Sequence, residues 1–403
     1  LQMLMAAFED AGHQIYVVGG CVRDTVLACE RDLHVQGMDP MKGDHSHVKD
    51  VDLSTSARPE TTIEIIKNLP AFRGKPWKAV PTGLEHGTIT AIAAMGGTPY
   101  EITTFRTDVE TDGRHATVAF SENMTDDAVR RDFTINAFYA DRHGKVYDVV
   151  GGSADLSARR VRFIGDPINR IEEDYLRILR FFRFTASIGK RDGGIDAEGL
   201  AACTLLAEGL DGVSRERIGA EMTRMIGIRD VAPIIGSMEQ SGVLNRILPG
   251  ASVLTLARLI DLEDHYPIEG RMLPPMDIPT RLAALGCEDT AQRLRLPNSD
   301  ARKIELVRHE AGAMTPPHEL GYRHGYWPAV HCLLLRWAGL LQPFDETALA
   351  DIQMGESAEC PVTAADLMPE FTGKSLGDRL RALEAAWIKS KFEMTKADLL
   401  ALR

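Results

Sequence analysis

The alternation of charged and aliphatic residues at Val48–Leu53 constrains the fold of this chain more than any other feature. The stretch runs Val-Lys-Asp-Val-Asp-Leu. Successive side chains of a β-strand point to opposite faces, so Asp50 and Asp52 share one face and the neighbouring aliphatic residues share the other. Like charges on one face repel each other. The pair is typical either of an edge strand with a solvated acidic face or of a site that holds divalent cations with hard oxygen ligands.

A glycine turn precedes this strand. Residues 15–18 have the pattern of a short strand, and Gly19 and Gly20 follow as a strand-to-helix turn. Glycines let backbone N–H groups approach a ligand closely, and the N-terminus of the following helix favours an anion. Arg23 adds a forked cation that suits phosphate. Because this turn comes just before the two-aspartate strand, it is a candidate phosphate-binding turn.

The segment between the turn and the strand, residues 28–47, is polar and rich in His, Asp and Gly. Its composition predicts a loop or an irregular hairpin. Cys29, His34, His45 and His47 could be metal ligands, but a solvated insertion is the favoured interpretation.

A β-hairpin is predicted further along the chain. Residues 86–94 and 98–106 alternate like strands, and the glycines between them indicate a turn. Glu101 shares a face of the second strand with Thr103 and Phe105. It is either a third carboxylate facing the aspartate pair or the partner of a cross-strand ion pair.

From residue 155 onward the pattern is helical, and one helix is predicted over 169–187. Asp174 and Arg177 lie three residues apart and are therefore neighbours on that helix. They form either an ordinary salt bridge or a hydrogen-bonding edge that could recognise a nucleobase. Arg180 and Arg183 step further round the helix. Arg183 either reaches the same ligand or belongs to a surface or structural ion pair.

The net charge of −12 argues against a protein that binds nucleic acid over its whole surface. The charge is uneven, however: residues 130–185 carry 11 Lys or Arg and 8 Asp or Glu, whereas residues 340–370 carry none and 7. Arg130 and Arg131 open a helical or turn segment rich in hydrogen-bonding groups, although a double arginine alone usually marks a solvated face. A locally basic site on an acidic protein is therefore compatible with the sequence.

The length of 403 residues predicts two or more domains. The six cysteines have no paired spacing, which predicts a reducing, cytoplasmic location without a disulfide framework or zinc module. No apolar run approaches the roughly 18–20 residues that cross a bilayer. No signal peptide is predicted, because a charged segment followed by an apolar run is absent from the N-terminus.

Seven motifs follow one another in a characteristic order. They are Gly-Gly-Cys-Val-Arg-Asp at 19–24, Asp-Val-Asp-Leu-Ser-Thr at 50–55, Tyr-Glu-Ile-Thr-Thr-Phe-Arg at 100–106, Asp-Gly-Arg-His at 112–115, Arg-Arg-Asp-Phe-Thr-Ile-Asn-Ala at 130–137, Glu-Asp-Tyr-Leu-Arg-Ile-Leu-Arg at 173–180 and Ser-Arg-Glu-Arg-Ile at 214–218. This series resembles the class II CCA-adding tRNA nucleotidyltransferase and poly(A) polymerase family, of the polymerase-β-like superfamily. One departure is visible: the distance from Arg23 to Asp50 is longer than is usual in that family.

The resemblance implies an α+β protein with a polymerase-β-like nucleotidyltransferase head, a mixed β-sheet with helices, followed by an all-α neck, body and tail. The head would occupy residues 1–152 and hold the metal and triphosphate. The neck, 153–225, would recognise the base, and the body and tail, 226–403, would bind tRNA.

The resemblance also implies residue roles. Asp50 and Asp52 match the catalytic pair that binds Mg²⁺, and Glu101 matches a catalytic carboxylate beside the metals. The implied nucleotide-binding residues are Gly19, Gly20, Arg23, Arg131, Asp174, Arg177, Arg180 and Arg183.

The implied activity is template-independent addition of C, C and A from CTP and ATP to the 3′ end of tRNA, by two-metal nucleotidyl transfer with release of pyrophosphate. A poly(A) polymerase and an A-adding or C-adding specialist share the head motifs and remain alternatives. The acidic C-terminal third disfavours processive binding of generic RNA. A non-catalytic RNA-binding or nucleotide-sensing protein is a further alternative, which Mg²⁺-dependent pyrophosphate release in the presence of tRNA would exclude.

Overall fold

A computed structural model describes residues 1–34, 51–72, 74–93, 99–111, 116–189, 194–265 and 277–402. They form two compact units, Leu1–Val213 and Ser214–Arg403. The predicted boundary at residue 152 lies inside the first unit, and the three-part division of the chain stays a prediction. Asp50 lies outside the described residues, as do His45 and His47 of the predicted insertion.

The first unit is built on strands whose bounds are as follows. They are β1 (Ile15–Val18), β2 (Val51–Thr55), β3 (Lys78–Gly83), β4 (Thr88–Ile92), β5 (Pro99–Thr104), β6 (Arg106–Thr111), β7 (Ala116–Phe120), β8 (Phe138–Ala140) and β9 (Val146–Asp148). Seven of them form one mixed sheet in the order β3-β4-β5-β2-β1-β8-β9, and β6 and β7 form a separate hairpin.

Helices cover and connect these strands. They are α1 (Gln2–Asp10), α2 (Gly20–His34), α3 (Pro59–Lys67), α4 (Met124–Val129), α5 (Gly152–Ser157), α6 (Pro167–Glu173), α7 (Leu176–Ile188) and α8 (Ala197–Leu205). Short 3-10 helices occur at Leu84–His86, Thr134–Asn136 and Ala207–Gly212.

The sheet has an aliphatic core on one face and a mixed core on the other. Leu53 and Ile102 pack with side chains of α1 and α3, and each is 1% exposed. Burying one such side chain contributes about 1.5–3 kcal/mol. On the other face Val18 clusters with Phe105 and Tyr139. Because strand side chains alternate, the fixed position of Leu53 directs the neighbouring side chain of β2, Asp52, to this second face.

Strand register brings the predicted phosphate and metal elements to the same edge. β1 runs antiparallel to β2 with Val18 opposite Asp52, so the turn that follows Val18 lies beside the start of β2. β2 runs parallel to β5 with Asp52 opposite Glu101. The end of β1 and the starts of β2 and β5 therefore meet.

The structure confirms the predicted strand at 15–18, and β4 and β5 pair antiparallel as the predicted hairpin requires. Two predictions are wrong. The loop predicted over 28–47 begins later, because α2 continues to His34. The single helix predicted over 169–187 is divided into α6 and α7, because Asp174 has extended backbone (φ −156°, ψ 103°) and its carboxylate accepts a bond from the N–H group two residues later (3.1 Å). Short acidic side chains favour such capping positions over a helix interior.

The second unit is helical throughout its described residues, as predicted. Its helices are α9 (Arg215–Ile226), α10 (Ala232–Gln240), α11 (Val243–Ile247), α12 (Val253–His265), α13 (Ile278–Ala284), α14 (Thr290–Arg293), α15 (Asn298–Ala313), α16 (Pro317–His324), α17 (Tyr326–Leu340), α18 (Glu346–Glu356), α19 (Ala364–Leu367), α20 (Gly373–Lys389) and α21 (Lys396–Ala401). Within the described ranges no helix is long and apolar enough to cross a membrane. The mixed sheet of the first unit and the helical second unit confirm the predicted α+β class.

Candidate active site

Two carboxylates stand side by side on the second face of the sheet. Asp52 and Glu101 are register partners on adjacent parallel strands, which lie about 4.8 Å apart, and both residues are exposed. Partners in register project to the same face. Their hard oxygen donors suit a divalent cation with oxygen coordination. Among the residues that the structure describes, no group of three or more His, Cys, Asp or Glu converges to form a complete metal site, and Asp50 is outside them.

The glycine turn lies beside this edge. Gly19 has φ +80°, a left-handed conformation that costs other L-residues about 1–2 kcal/mol. Its N–H donates to the carbonyl of Phe138 (3.0 Å), which ties the turn to the neighbouring strand. Gly20 is the first residue of α2, so the N-terminal end of that helix opens at the turn. An anion placed there would meet backbone N–H groups and the positive end of the helix dipole.

Arg23 lies next to the turn, and its side chain is buried, with 8% of the residue exposed. Its Nη1 donates to Oδ1 of Asn136 (2.6 Å), and its Nε donates to Oδ1 of Asp24 (2.8 Å). A Cβ added to Gly20 would lie 3.6 Å from Nη2 of Arg23, so the guanidinium reaches the turn. Two fixed hydrogen bonds therefore orient a cation towards the place where the helix begins.

A buried polar chain continues from Arg23 to α7. Nδ2 of Asn136 donates to Oδ1 of Asp132 (3.0 Å), and Nε of Arg180 donates to Oδ2 of the same carboxylate (2.7 Å). Burial favours a raised pKa for Asp132, but Arg180 and the Asn136 amide outweigh it, and the pKa is lowered. The carboxylate is therefore ionised, and it fixes Arg180 next to the predicted phosphate site.

A second buried carboxylate, Asp127, organises Arg131. Asp127 is fully buried and accepts bonds from Arg130 (2.6 Å), Arg131 (3.1 Å), the Tyr139 hydroxyl (2.8 Å) and the Ser54 hydroxyl (3.3 Å). Burial works to raise its pKa, but the two guanidinium groups and the phenol lower it from 3.8 to about 2. Burial works to lower the pKa of the Arg131 guanidinium, but Asp127 and the Tyr139 phenol outweigh it, and this pKa is raised. The two groups hold each other charged.

Arg131 also faces the glycine turn. A Cβ added to Gly19 would lie 3.6 Å from its Nη1, while Nε donates to the Tyr139 hydroxyl (3.2 Å). Arg131, Arg23 and the turn are therefore neighbours, as their predicted shared ligand requires.

The Asp174–Arg177 pair lies at the junction of α6 and α7. The backbone N–H of Arg177 donates to the carbonyl of Asp174 (2.9 Å), so the two residues stay close despite the break in the helix. Arg177 is held by Glu173 (2.5 Å) and by the carbonyls of Arg170 (2.7 Å) and Arg130 (3.1 Å). The last bond connects this junction to the double-arginine segment.

The ring of Phe184 contacts the last of the predicted arginines. The guanidinium carbon of Arg183 lies 4.1 Å from the centre of that ring. Arg183 thus lies on the same side of α7 as Arg180, whose guanidinium carbon is 5.3 Å from the same ring.

Sequence reasoning missed Asp127, Asp132, Asn136 and Phe184 as parts of the site. A usable signal existed for Asp127, because it precedes Arg130 and Arg131 by three and four residues, the spacings that place side chains together on a helix. The contacts of Asp132 with Arg180 join residues 48 positions apart and have no local signal.

Comparisons with known proteins identify the family and the fold. Residues 15–162 match the family model described as the poly A polymerase head domain. The mouse protein named CCA tRNA nucleotidyltransferase 1, mitochondrial, is 31% identical over 420 residues, covering 100% of this chain and 89% of its own length. A CCA-adding enzyme of Lactobacillus helveticus is 39% identical over 187 residues, 46% of this chain and 40% of that enzyme.

Solved structures show the same fold. The Bacillus stearothermophilus CCA-adding enzyme in complex with CTP has a TM-score of 0.68 at 23% identity, covering 97% of this chain and 92% of that chain. The Thermotoga maritima CCA-adding enzyme complexed with tRNA has a TM-score of 0.66 at 17% identity, covering 99% and 92%. These likenesses extend over both compact units.

Proposed function

This chain belongs to the class II CCA-adding tRNA nucleotidyltransferase family, and we propose on that premise that it adds C, C and A to the 3′ end of tRNA. CTP and ATP are the substrates, and pyrophosphate is released. The observation that carries the proposal is the meeting of two elements at one edge of the sheet. Exposed carboxylates at Asp52 and Glu101 lie beside a helix N-terminus whose glycine turn is backed by Arg23.

Nucleotidyltransferases of this family use a divalent metal ion, which we assign as Mg²⁺ because the donor set is hard carboxylate oxygen. Asp50 and Asp52 would hold it, and Glu101 would lie next to it. The bound ion supplies activation of the attacking 3′-hydroxyl and neutralisation of charge on the leaving oxygens. The exposure of Asp52 and Glu101 leaves room for ion and substrate phosphate together.

The triphosphate would be bound by backbone and arginine donors. Backbone N–H groups at the start of α2 and the guanidinium of Arg23, which lies near Gly20, would donate hydrogen bonds to it. Arg131 would donate through Nη1, the nitrogen that faces Gly19. Because Asp127, Asp132 and Asn136 already fix these cations, little reorganisation accompanies binding. Preorganised donors of this kind stabilise developing charge more effectively than mobile ones.

Base selection would fall to Asp174 and Arg177. A carboxylate accepts from an exocyclic amine, which C and A have and U lacks, and a guanidinium donates to ring or carbonyl acceptors. A matched bidentate contact discriminates by about 1–3 kcal/mol. The anchoring of Arg177 by Glu173 and two backbone carbonyls holds such an edge in place.

The decisive test supplies two tRNAs, one ending at the discriminator base and one ending in CC, with each labelled nucleotide in turn. We expect two C and then one A on the first, one A on the second, and arrest thereafter. Addition of A alone would indicate an A-adding specialist, addition of C alone a C-adding specialist, and an unlimited run of A a poly(A) polymerase.

Asp52→Asn separates binding from chemistry in the same assay. We expect it to retain CTP binding and lose transfer. Asp10→Asn, which changes an exposed carboxylate at the end of α1, serves as the matched control and should transfer normally. Near-normal transfer by Asp52→Asn would contradict the metal assignment.

We infer a cytoplasmic location from the cysteines, all six of which are free. Disulfides are rare where thiols are kept reduced. One relative is named mitochondrial, and the cysteine pattern does not distinguish a mitochondrial from a cytosolic location. Fractionation of cells expressing the tagged protein distinguishes the two.

A further inference from the structure

One aromatic ring contacts three of the arginines assigned to nucleotide binding. The guanidinium carbons of Arg23, Arg180 and Arg183 lie 5.2, 5.3 and 4.1 Å from the centre of the Phe184 ring. Arg23 belongs to α2, whereas Phe184 and the other two arginines belong to α7. The ring is therefore the shared contact of cations from two separate elements.

Three guanidinium groups around one ring repel one another, so their proximity needs compensation. A cation within about 6 Å of an aromatic centre is attracted by the negative face of the ring, more strongly where water is excluded. Phe184 is 7% exposed, so water is largely excluded from it. The carboxylate of Asp132 compensates Arg180, and Arg23 has the carboxylate of Asp24 and the amide of Asn136 as its partners. The Phe184 ring contacts all three cations.

One member of the cluster reaches the glycine turn. Arg23 reaches from the ring to the turn, where its Nη2 lies 3.6 Å from the position of a Cβ on Gly20. The ligand that suits several cations beside a helix N-terminus is a polyanion such as a triphosphate. A nucleobase alone would not offset so many positive charges.

We propose that Phe184 is a positioning residue that sets Arg23, Arg180 and Arg183 as one binding group for the triphosphate of the incoming nucleotide. The proposal rests on the proposed function, since it deepens the assignment of the same site. The aromatic face is what matters: a side chain of similar volume without a π system fills the space but leaves the three cations without their common partner.

The test compares side chains with and without a ring at this position. Phe184→Leu and Phe184→Met remove the π system and keep most of the volume, and Phe184→Tyr keeps the π system. Phe182→Leu is the matched control, because Phe182 lies on the same helix, is fully buried and packs edge-on against Phe181. Thermal unfolding of each variant establishes that it is folded before binding is measured.

Binding of CTP and of inorganic tripolyphosphate is measured by calorimetry without tRNA, so that no turnover occurs. We expect Phe184→Leu and Phe184→Met to raise both dissociation constants about ten-fold, Phe184→Tyr to restore them to within about three-fold, and Phe182→Leu to leave them unchanged. The ratio of C to A incorporation should stay constant, because base selection is assigned to other residues.

Two results would overturn the proposal. One is equal affinity for tripolyphosphate in Phe184→Leu and Phe182→Leu at comparable thermal stability. The other is a loss in Phe184→Tyr as large as that in Phe184→Leu, which would make Phe184 a packing residue only. Failure of the proposed function gives a different signature: the wild-type protein would bind tripolyphosphate but transfer neither C nor A to tRNA.

Discussion

Replacement of Asp127 by Asn tests the idea that buried carboxylates hold the site arginines in place. The substitution keeps the shape of the side chain and removes its charge. Asp127 is fully buried and receives hydrogen bonds from Arg130, Arg131 and Tyr139. In the variant both guanidinium groups lose their ionised partner while remaining mostly out of solvent, with side-chain exposures of 17% and 20%.

The size of the effect follows from the pKa. A carboxyl whose pKa falls from 3.8 to about 2 on folding stabilises the folded state by about 2 kcal/mol at neutral pH. Removing one partner of a buried ion pair costs about 3–5 kcal/mol, because the remaining charge is left uncompensated. We therefore expect Asp127→Asn to lower the free energy of unfolding by about 2–4 kcal/mol.

The pH dependence identifies the group. Because the folded-state pKa of Asp127 is lowered, its contribution is fully present above about pH 4 and is lost as the pH falls towards 2. The difference between wild type and Asp127→Asn should therefore be constant from pH 7 to pH 5 and narrow only below about pH 4. Urea unfolding followed by circular dichroism measures it, with Asp126→Asn as the control one residue away on the same helix.

Two outcomes would refute this reasoning. If Asp127→Asn were no less stable than Asp126→Asn at pH 7, the buried carboxylate would contribute nothing net. If the difference from wild type shrank already between pH 7 and pH 5, a group other than Asp127 would be responsible for it.

The remaining predictions concern base choice, the helix junction and the second unit. Arg177→Ala should raise misincorporation of U and G by about 5- to 150-fold in the labelled-nucleotide assay; unchanged selectivity would contradict its template role. Gly209→Ala would place a Cβ 1.8 Å from Cδ1 of Tyr175, so the Tyr175 ring must move, and we expect about 1–3 kcal/mol of destabilisation and slower transfer. Wild-type transfer kinetics would show that the α6–α7 junction tolerates this movement of Tyr175. Arg281→Met should lower the free energy of unfolding in urea by about 3–5 kcal/mol, because Arg281 is 1% exposed and its loss removes the ion-pair partner of Glu263. A change below about 1 kcal/mol would show that the Arg281–Glu263 pair contributes little to stability.

Local periodicity predicted those parts of the site that depend on one strand or turn. Alternation placed Asp52 on one face of β2, and the register confirms that Glu101 of the neighbouring strand lies on that face. The positive φ of Gly19 and the start of α2 at Gly20 agree with the predicted strand-to-helix turn. The roles of these residues in transfer stay predictions that the Asp52→Asn assay addresses.

Long-range contacts explain what periodicity could not predict. The residues around Asp174 have no strong helix breaker, yet the helix is interrupted there. The ring of Tyr175, the residue after the break, occupies the space that a side chain on residue 209 would need, so its position requires a glycine 34 positions later. The contact of Arg23 with Phe184 spans a still longer separation. Such contacts arise from the packing of the first unit and leave no pattern in a short window of sequence.

The acidic residues of the candidate site divide into two kinds by their burial. Asp127 and Asp132 are buried, are ionised because arginines lower their pKa, and are committed to those arginines. Asp52 and Glu101 are exposed on adjacent strands. Neutralising Asp127 and Asp132 would free their two arginines, Arg131 and Arg180, to pair with the exposed carboxylates. The arginines would then compete with a metal ion for the same carboxylate oxygens. We therefore expect Asp132→Asn to weaken triphosphate binding and also to lower the apparent affinity for Mg²⁺, measured as a higher Mg²⁺ concentration at half-maximal transfer. An unchanged Mg²⁺ requirement in a folded Asp132→Asn variant would show that the two kinds of carboxylate act independently.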